Sequence, residues 1–254
     1  MNNDVAIVLT GTIIPQTRYV KYTNWQKRRE EYLAAIRYYR QFGSVFFVEN
    51  SDYDLANDAD FQQLEDVHYM QIEPDTNREH TIGYQEFHML DAWVQGVSES
   101  PRAFIKVSGR YILDNFAQIY EECCYTEHDI LINLQGFQHW AITYVFYSTV
   151  KAYRQHILGK YRYCNVYVDI EEILYQYFRD HFKANYCIFY HLPELSVVSA
   201  GQGTLLKSHS SWLKRHIIHP LNYKIYPKCI IYPSLIDTPA RISKWLKKLI
   251  RQNA

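Results

Sequence analysis

"FIKVSGRYILDN", residues 104–115, begins as an apolar run suited to a buried strand and ends on Ser108-Gly109-Arg110. Lys106 stands inside the run and Arg110 at its glycine-marked end. Two cations are therefore carried to the tip of a strand that the apolar pattern places in a core. Buried cations are costly unless an anion meets them. Either a carboxylate of the protein or a bound ligand supplies that anion.

Working outward, short apolar runs at 5–9, 45–48, 67–72, 103–107 and 130–134 read as strands. Helical spacing fills the intervals. In 24–41 it is carried by Trp25, Arg28, Arg29, Tyr32, Ile36 and Tyr39; further helices are expected at 84–97, 111–122 and 169–182. This alternation predicts an α/β fold, a mainly parallel twisted sheet of Rossmann type with helices on both faces. Ligands of such sheets bind outside the carboxyl ends of the strands. Polar tips occur there at Thr10-Gly11-Thr12, at Glu49-Asn50 and from Lys106 to Arg110.

Charge divides the chain of 254 residues, which carries 27 basic and 27 acidic side chains. From residue 205 onward there are ten Lys/Arg against Asp237 alone, a surplus of nine, so the rest is acidic by the same amount. We expect a catalytic domain over 1–204 and a basic helical extension over 205–254. "PARISKWLKKLIRQ", 239–252, gathers Ile242, Trp245, Leu246, Leu249 and Ile250 near one helical face, with Arg241, Lys244, Lys247, Lys248 and Arg251 around the remainder. That pattern suits an anionic membrane surface, and packing on its own domain is the alternative. Nucleic acid is not an expected partner, because the acidic remainder repels phosphate and no RNA-binding motif is present. Five cysteines without metal spacing, no leader-type N-terminus and no apolar run of roughly 18 residues point to a reduced, cytoplasmic protein, peripheral on the inner face of the membrane.

Candidate chemistry is spread over several motifs. Gly11 lacks a G-x-G-x-x-G context. "SAGQGT", 199–204, with Gly201 and Gly203, is either a phosphate cradle or a glycine turn. The pairs Asp52/Asp54 and Asp58/Asp60 have the spacing to share a divalent ion, although a solvated turn is the weightier reading. Glu86, His88 and Asp91 open a helix, where Glu86 serves either as a general base or as a partner of the helix dipole. Glu171 and Glu172 open a later helix with the same ambiguity. His139 and Trp140 sit after the fifth strand, placed to stack on a sugar or base or to join the core.

"IVLTGTIIP", the pair Arg28-x-x-x-Tyr32, "FFVENSDYDL", "GYQEFHMLDAW" and "FIKVSGRYILDN" together resemble bacterial glycosyltransferases that build surface polysaccharides such as O-antigen and capsule. "VDIEEILY" and "SAGQGT" extend the resemblance loosely to residue 204. The resemblance implies a GT-A-like fold and transfer of a sugar from a nucleotide-sugar donor to a hydroxyl of a glycan or lipid-linked acceptor. Thr10, Gly11, Thr12, Arg28, Glu49, Asn50, Ser108, Gly109, Gly201 and Gly203 would then hold the donor. Lys106 and Arg110 would face its diphosphate, Glu86 would be the base, and His88, His139 and Trp140 would meet the acceptor. Ser108-Gly109-Arg110 stands where such enzymes place Asp-x-Asp, so a divalent metal is not expected to be required and cations would support the leaving phosphate. The alternatives are another nucleotide-dependent α/β enzyme such as a methyltransferase, weakened by the absence of a Gly-rich first loop, or a non-enzymatic nucleic-acid-binding protein. The alternative for Arg110 is an internal partner, Glu86 or Asp91.

Overall fold

The chain enters through β1 (Val5–Gly11), crosses α1 (Trp25–Tyr39) and returns in β2 (Val45–Glu49). After α2 (Ala59–Gln62) come β3 (Val67–Gln71), α3 (Ile82–Gly96), β4 (Ala103–Ser108) and α4 (Phe116–Tyr125). The second half runs β5 (Ile130–Leu131), β6 (Leu134–Gln135), β7 (Trp140–Ala141), β8 (Val145–Thr149), α5 (Val150–His156), α6 (Ile170–Asp180) and β9 (Tyr186–Cys187). It ends with β10 (Leu195–Val198), β11 (Leu205–Ser208) and α7 (His219–Ile225). This computed structural model describes residues 4–97, 100–201, 203–208 and 210–232, and the helix expected from 239 lies outside them. Among the described residues no helix is long and apolar enough to cross a membrane.

Seven strands form one sheet in the order β3-β2-β1-β4-β8-β5-β9. β8 alone runs against its neighbours β4 and β5, and every other pairing in the sheet is parallel. β1 is buried along its whole length because both faces are covered. Ile7 and Leu9 join Leu33, Ile36, Tyr39, Phe116 and Ile119 on the α1/α4 face. Ala6 and Val8 join Leu90, Trp93, Tyr153, Leu174 and Phe178 on the α3/α5/α6 face. The expected α/β fold with helices on both faces is therefore present.

Three expectations change in detail. The helix placed at 111–122 begins only at Phe116, because Leu113 bridges to Leu195 and the Tyr111 carbonyl accepts from the Tyr39 hydroxyl at 2.7 Å. The strand placed at 130–134 is interrupted after Leu131, its tail entering a small ribbon with β7. The antiparallel strand β8 was not anticipated. Beyond residue 204, β11 pairs with β10, and the Ile230 amide donates to the Leu134 carbonyl at 2.7 Å.

Register brings the polar tips together. Gly11 lies opposite Glu49, and Thr10 opposite Ser108. The Gly109 amide donates to the Thr10 carbonyl at 2.8 Å, and a Cβ at Gly109 would stand 2.6 Å from that oxygen. Glycine is required there because the β4 tip passes flush against β1.

Candidate active site

A cavity of about 340 Å³ opens at the carboxyl ends of β1 and β4, a volume ordinary for a small-molecule site. Its wall includes Thr10, Gly11, Thr12, Arg28, Glu86, Ser108, Gly109, Arg110 and Trp140, all proposed from sequence. It also includes Tyr32, Gln85, Tyr111, Thr143, Tyr144, Glu171 and Ser199.

Lys106 answers the question raised by its strand. The side chain is fully buried, with Nζ 2.7 Å from Glu86 Oε2 and 2.7 Å from the Thr143 carbonyl. Burial lowers its pKa, and the Glu86 charge opposes that shift. The anion that meets Lys106 is thus a protein carboxylate, and the ammonium does not line the cavity. The expectation that it faces a diphosphate is corrected by this pairing.

Glu86, one turn into α3, is fully engaged. Oε1 accepts from Thr10 Oγ1 at 3.0 Å and from Ser108 Oγ at 2.7 Å, while Oε2 takes Lys106. With both oxygens bonded to groups of β1 and β4, the Glu86 carboxylate joins those strands to α3. Lys106→Met should leave this carboxylate without its counter-charge and cost about 3–5 kcal/mol of stability. A guanidinium denaturation midpoint reads the loss. Lys106→Met/Glu86→Gln should recover most of it, whereas a single variant as stable as the wild type would contradict the structural role.

The cations of the cavity are Arg28 and Arg110. Arg28 is buried on the inner face of α1, which is capped by Asn24, whose side chain accepts from the Lys27 amide at 2.9 Å. Its guanidinium donates to the carbonyls of Thr12, Ile13 and Tyr22 and to the Tyr32 hydroxyl. Among the described residues no carboxylate bonds to it. Burial above all lowers its pKa, and the neighbouring Arg110 charge adds to that effect. Arg110 contacts Glu31 Oε2 at 2.5 Å and the Val198 carbonyl at 3.2 Å, with its guanidinium over the Tyr22 ring. Its internal partner is therefore Glu31, not Glu86 or Asp91. Two guanidiniums share the neighbourhood of one carboxylate, which leaves that end of the cavity electropositive.

Glu171 faces them from another wall. It lies in the first turn of α6, and Oε1 accepts from Thr143 Oγ1 at 2.8 Å. Burial, the leading cause, pushes its pKa up to about 7 despite that bond. This carboxyl is poised near neutrality, as an acid–base group needs to be.

Several other residues proposed from sequence lie away from the cavity wall. Glu49 is buried, and its carboxylate accepts from the amides of Ile13 and Ser51 at 3.0 and 2.9 Å, fixing the loop after β1. Asn50 stands behind Thr12, accepting from its hydroxyl at 2.5 Å. Gly201 and Gly203 belong to the β10–β11 turn, in which Gly203 N donates to Ser199 O and Ser199 N to Thr204 O. Its amides close a hairpin, and Ser199 and Ala200 reach the cavity instead. His88 packs near Tyr161, ring centroids 5.4 Å apart, and His139 stacks on Tyr175.

The strand tip offers a poor donor set for a divalent cation, which needs several oxygen ligands. Arg110 occupies the tip, and both oxygens of Glu86 are taken. Asp58 pairs with Arg29 and caps α2, Asp60 also pairs with Arg29, Asp54 caps the turn Leu55–Asn57, and Asp52 accepts from Gln16. Among the described residues no cluster of three His, Cys, Asp or Glu has metal-binding geometry.

No protein-family model matches the chain, and no curated protein matches it. Among solved structures it is similar to mouse xyloside xylosyltransferase 1, at 10% identity and TM-score 0.41 over 89% of this chain and 94% of that one. It is similar to core-mannan synthase A of Aspergillus fumigatus, at 8% identity and TM-score 0.43 over 89% and 86%. It is also similar to 4-diphosphocytidyl-2C-methyl-D-erythritol synthase of Anaerococcus prevotii, at 7% identity and TM-score 0.47 over 87% and 96%. With all three scores below 0.5, the functional case rests on the residues of this chain.

Proposed function

We propose that the cavity binds a nucleotide-sugar and that the protein is a glycosyltransferase. The observation that carries this reading is the pair Arg28 and Arg110, set around a single carboxylate at the carboxyl ends of β1 and β4. That surplus positive charge suits a diphosphate. Tyr32, Tyr111, Trp140 and Tyr144 supply ring faces for a base or sugar, and Thr10, Gln85, Ser108 and Thr143 supply hydrogen-bonding groups for sugar hydroxyls.

In the reaction an acceptor hydroxyl attacks the anomeric carbon while the bond from that carbon to the phosphate oxygen breaks. The nucleoside diphosphate leaves with the electron pair, and the guanidiniums stabilise the charge it gains. The hydroxyl proton passes to Glu171. The acceptor is a glycan or lipid-linked saccharide of cell-surface polysaccharide synthesis, as the sequence resemblance implies.

A donor-hydrolysis screen over UDP-, GDP-, CMP- and dTDP-sugars, with and without EDTA, tests the reading. Slow release of the nucleotide from one donor class, undiminished by EDTA, is expected. Inertness towards all four classes, with and without added acceptor glycans, would contradict it.

A further inference from the structure

The last described helix is built with its polarity reversed. A wide helical stretch, Lys214–Ile218, runs directly into α7. Its inward side carries polar groups beside the half-buried Tyr223: His219 is buried with Nε2 2.7 Å from the Phe189 carbonyl, and Asn222 Nδ2 donates to the Cys229 carbonyl at 2.9 Å. Its outward side is apolar. Leu213, Ile217, Leu221 and Ile225, each four residues from the next, are all exposed, Leu221 at 54% and Ile225 at 63%. A helix on a soluble domain ordinarily turns such a stripe inward.

We propose that this face docks on an anionic lipid surface. Charge complementarity selects that occupant. Lys214 and Lys224 lie on the same helix, and the chain from 205 to 232 contains no Asp or Glu. Beyond 232 it adds five more basic residues against Asp237 alone. A nucleic acid would meet the lysines but not the aliphatic stripe. A headgroup layer over acyl chains meets both. Trp212, exposed at 68% just before the stripe, suits the boundary between them.

Co-sedimentation of the full chain with vesicles tests the proposal without any sugar donor, so its failure is separate from failure of the glycosyltransferase reading. Binding is expected to phosphatidylglycerol–phosphatidylcholine vesicles at low salt and not to phosphatidylcholine alone, weakening as salt screens the charge. Leu221→Glu/Ile225→Glu should reduce vesicle affinity by roughly tenfold or more. Lys224→Ala should reduce it by about fivefold. Both variants alter exposed side chains, so their thermal unfolding should match that of the wild type. Three outcomes would overturn the proposal: no binding to the anionic vesicles, binding unaffected by Leu221→Glu/Ile225→Glu, or a wild-type dimer that the same double substitution dissociates.

Discussion

Glu171→Gln is expected to lower turnover by roughly 10²–10⁴-fold, the usual worth of a positioned acid–base group, while leaving donor affinity near normal. The amide keeps the shape and can still accept from Thr143, but it cannot take the acceptor proton. The wild-type pH profile should show the same group. Burial favours the neutral carboxyl and raises its pKa to about 7, so below that pH the site holds a proton and cannot accept another. Turnover should therefore rise as pH increases through about 7 and then level off, and the variant should lose that limb. A Glu171→Gln enzyme with wild-type turnover and an intact limb would assign the proton to another group.

The second large effect belongs to Arg110. Arg110→Ala should weaken binding of the nucleoside diphosphate and cut turnover on the order of 10²-fold, if its charge supports the leaving phosphate as oxyanion donors do. Its contact with Glu31 offers a competing role, a strut between the β4 tip and α1. Glu31→Gln separates the two. A strut loses stability with either substitution and changes binding with neither. A phosphate-binding arginine loses affinity in Arg110→Ala but keeps or gains it in Glu31→Gln, where a competing carboxylate has been neutralised. Calorimetric titration of both folded variants with the preferred nucleotide reads the difference.

Much of the fold was legible because β1, β2 and β4 are largely apolar runs and the long helices α1 and α3 fall between them. β8 was not, for a local reason. "VFYST" passes into α5 without an intervening loop, Thr149 both ending the strand and capping the helix by accepting from the Ala152 amide at 3.1 Å. No turn residue marks the change. Residues 111–115 erred in the other direction, since Leu113 is buried through a bridge to Leu195 and helical spacing alone could not distinguish that from a helix.

At the site, sequence located the cavity and the residues of its β1 and β4 rim but not the division of labour among its charges. The cost of burying Lys106 could be anticipated; its partner could not, because Glu86 and Glu171 look alike, each in the opening turns of a helix. The environment separates them. Glu86 bonds an ammonium and two hydroxyls, and the half-buried Glu171 bonds one hydroxyl. Glu31 gave no signal, being one of two adjacent acids in α1, next to Glu30 and the basic pair Arg28-Arg29. Thr143 and Tyr144 reach the cavity from the segment before the unanticipated strand.

A cavity electropositive enough to hold a nucleoside diphosphate at the β1 and β4 tips is the central requirement of the proposed function. Titration calorimetry of the full chain with UDP, GDP and dTDP tests it without requiring the sugar or the acceptor to be known. The predicted result is saturable binding of at least one of them at a single site, strongly weakened in Arg110→Ala and retained in Glu171→Gln. No heat with any of the three, or binding that Arg110→Ala leaves intact, would contradict it.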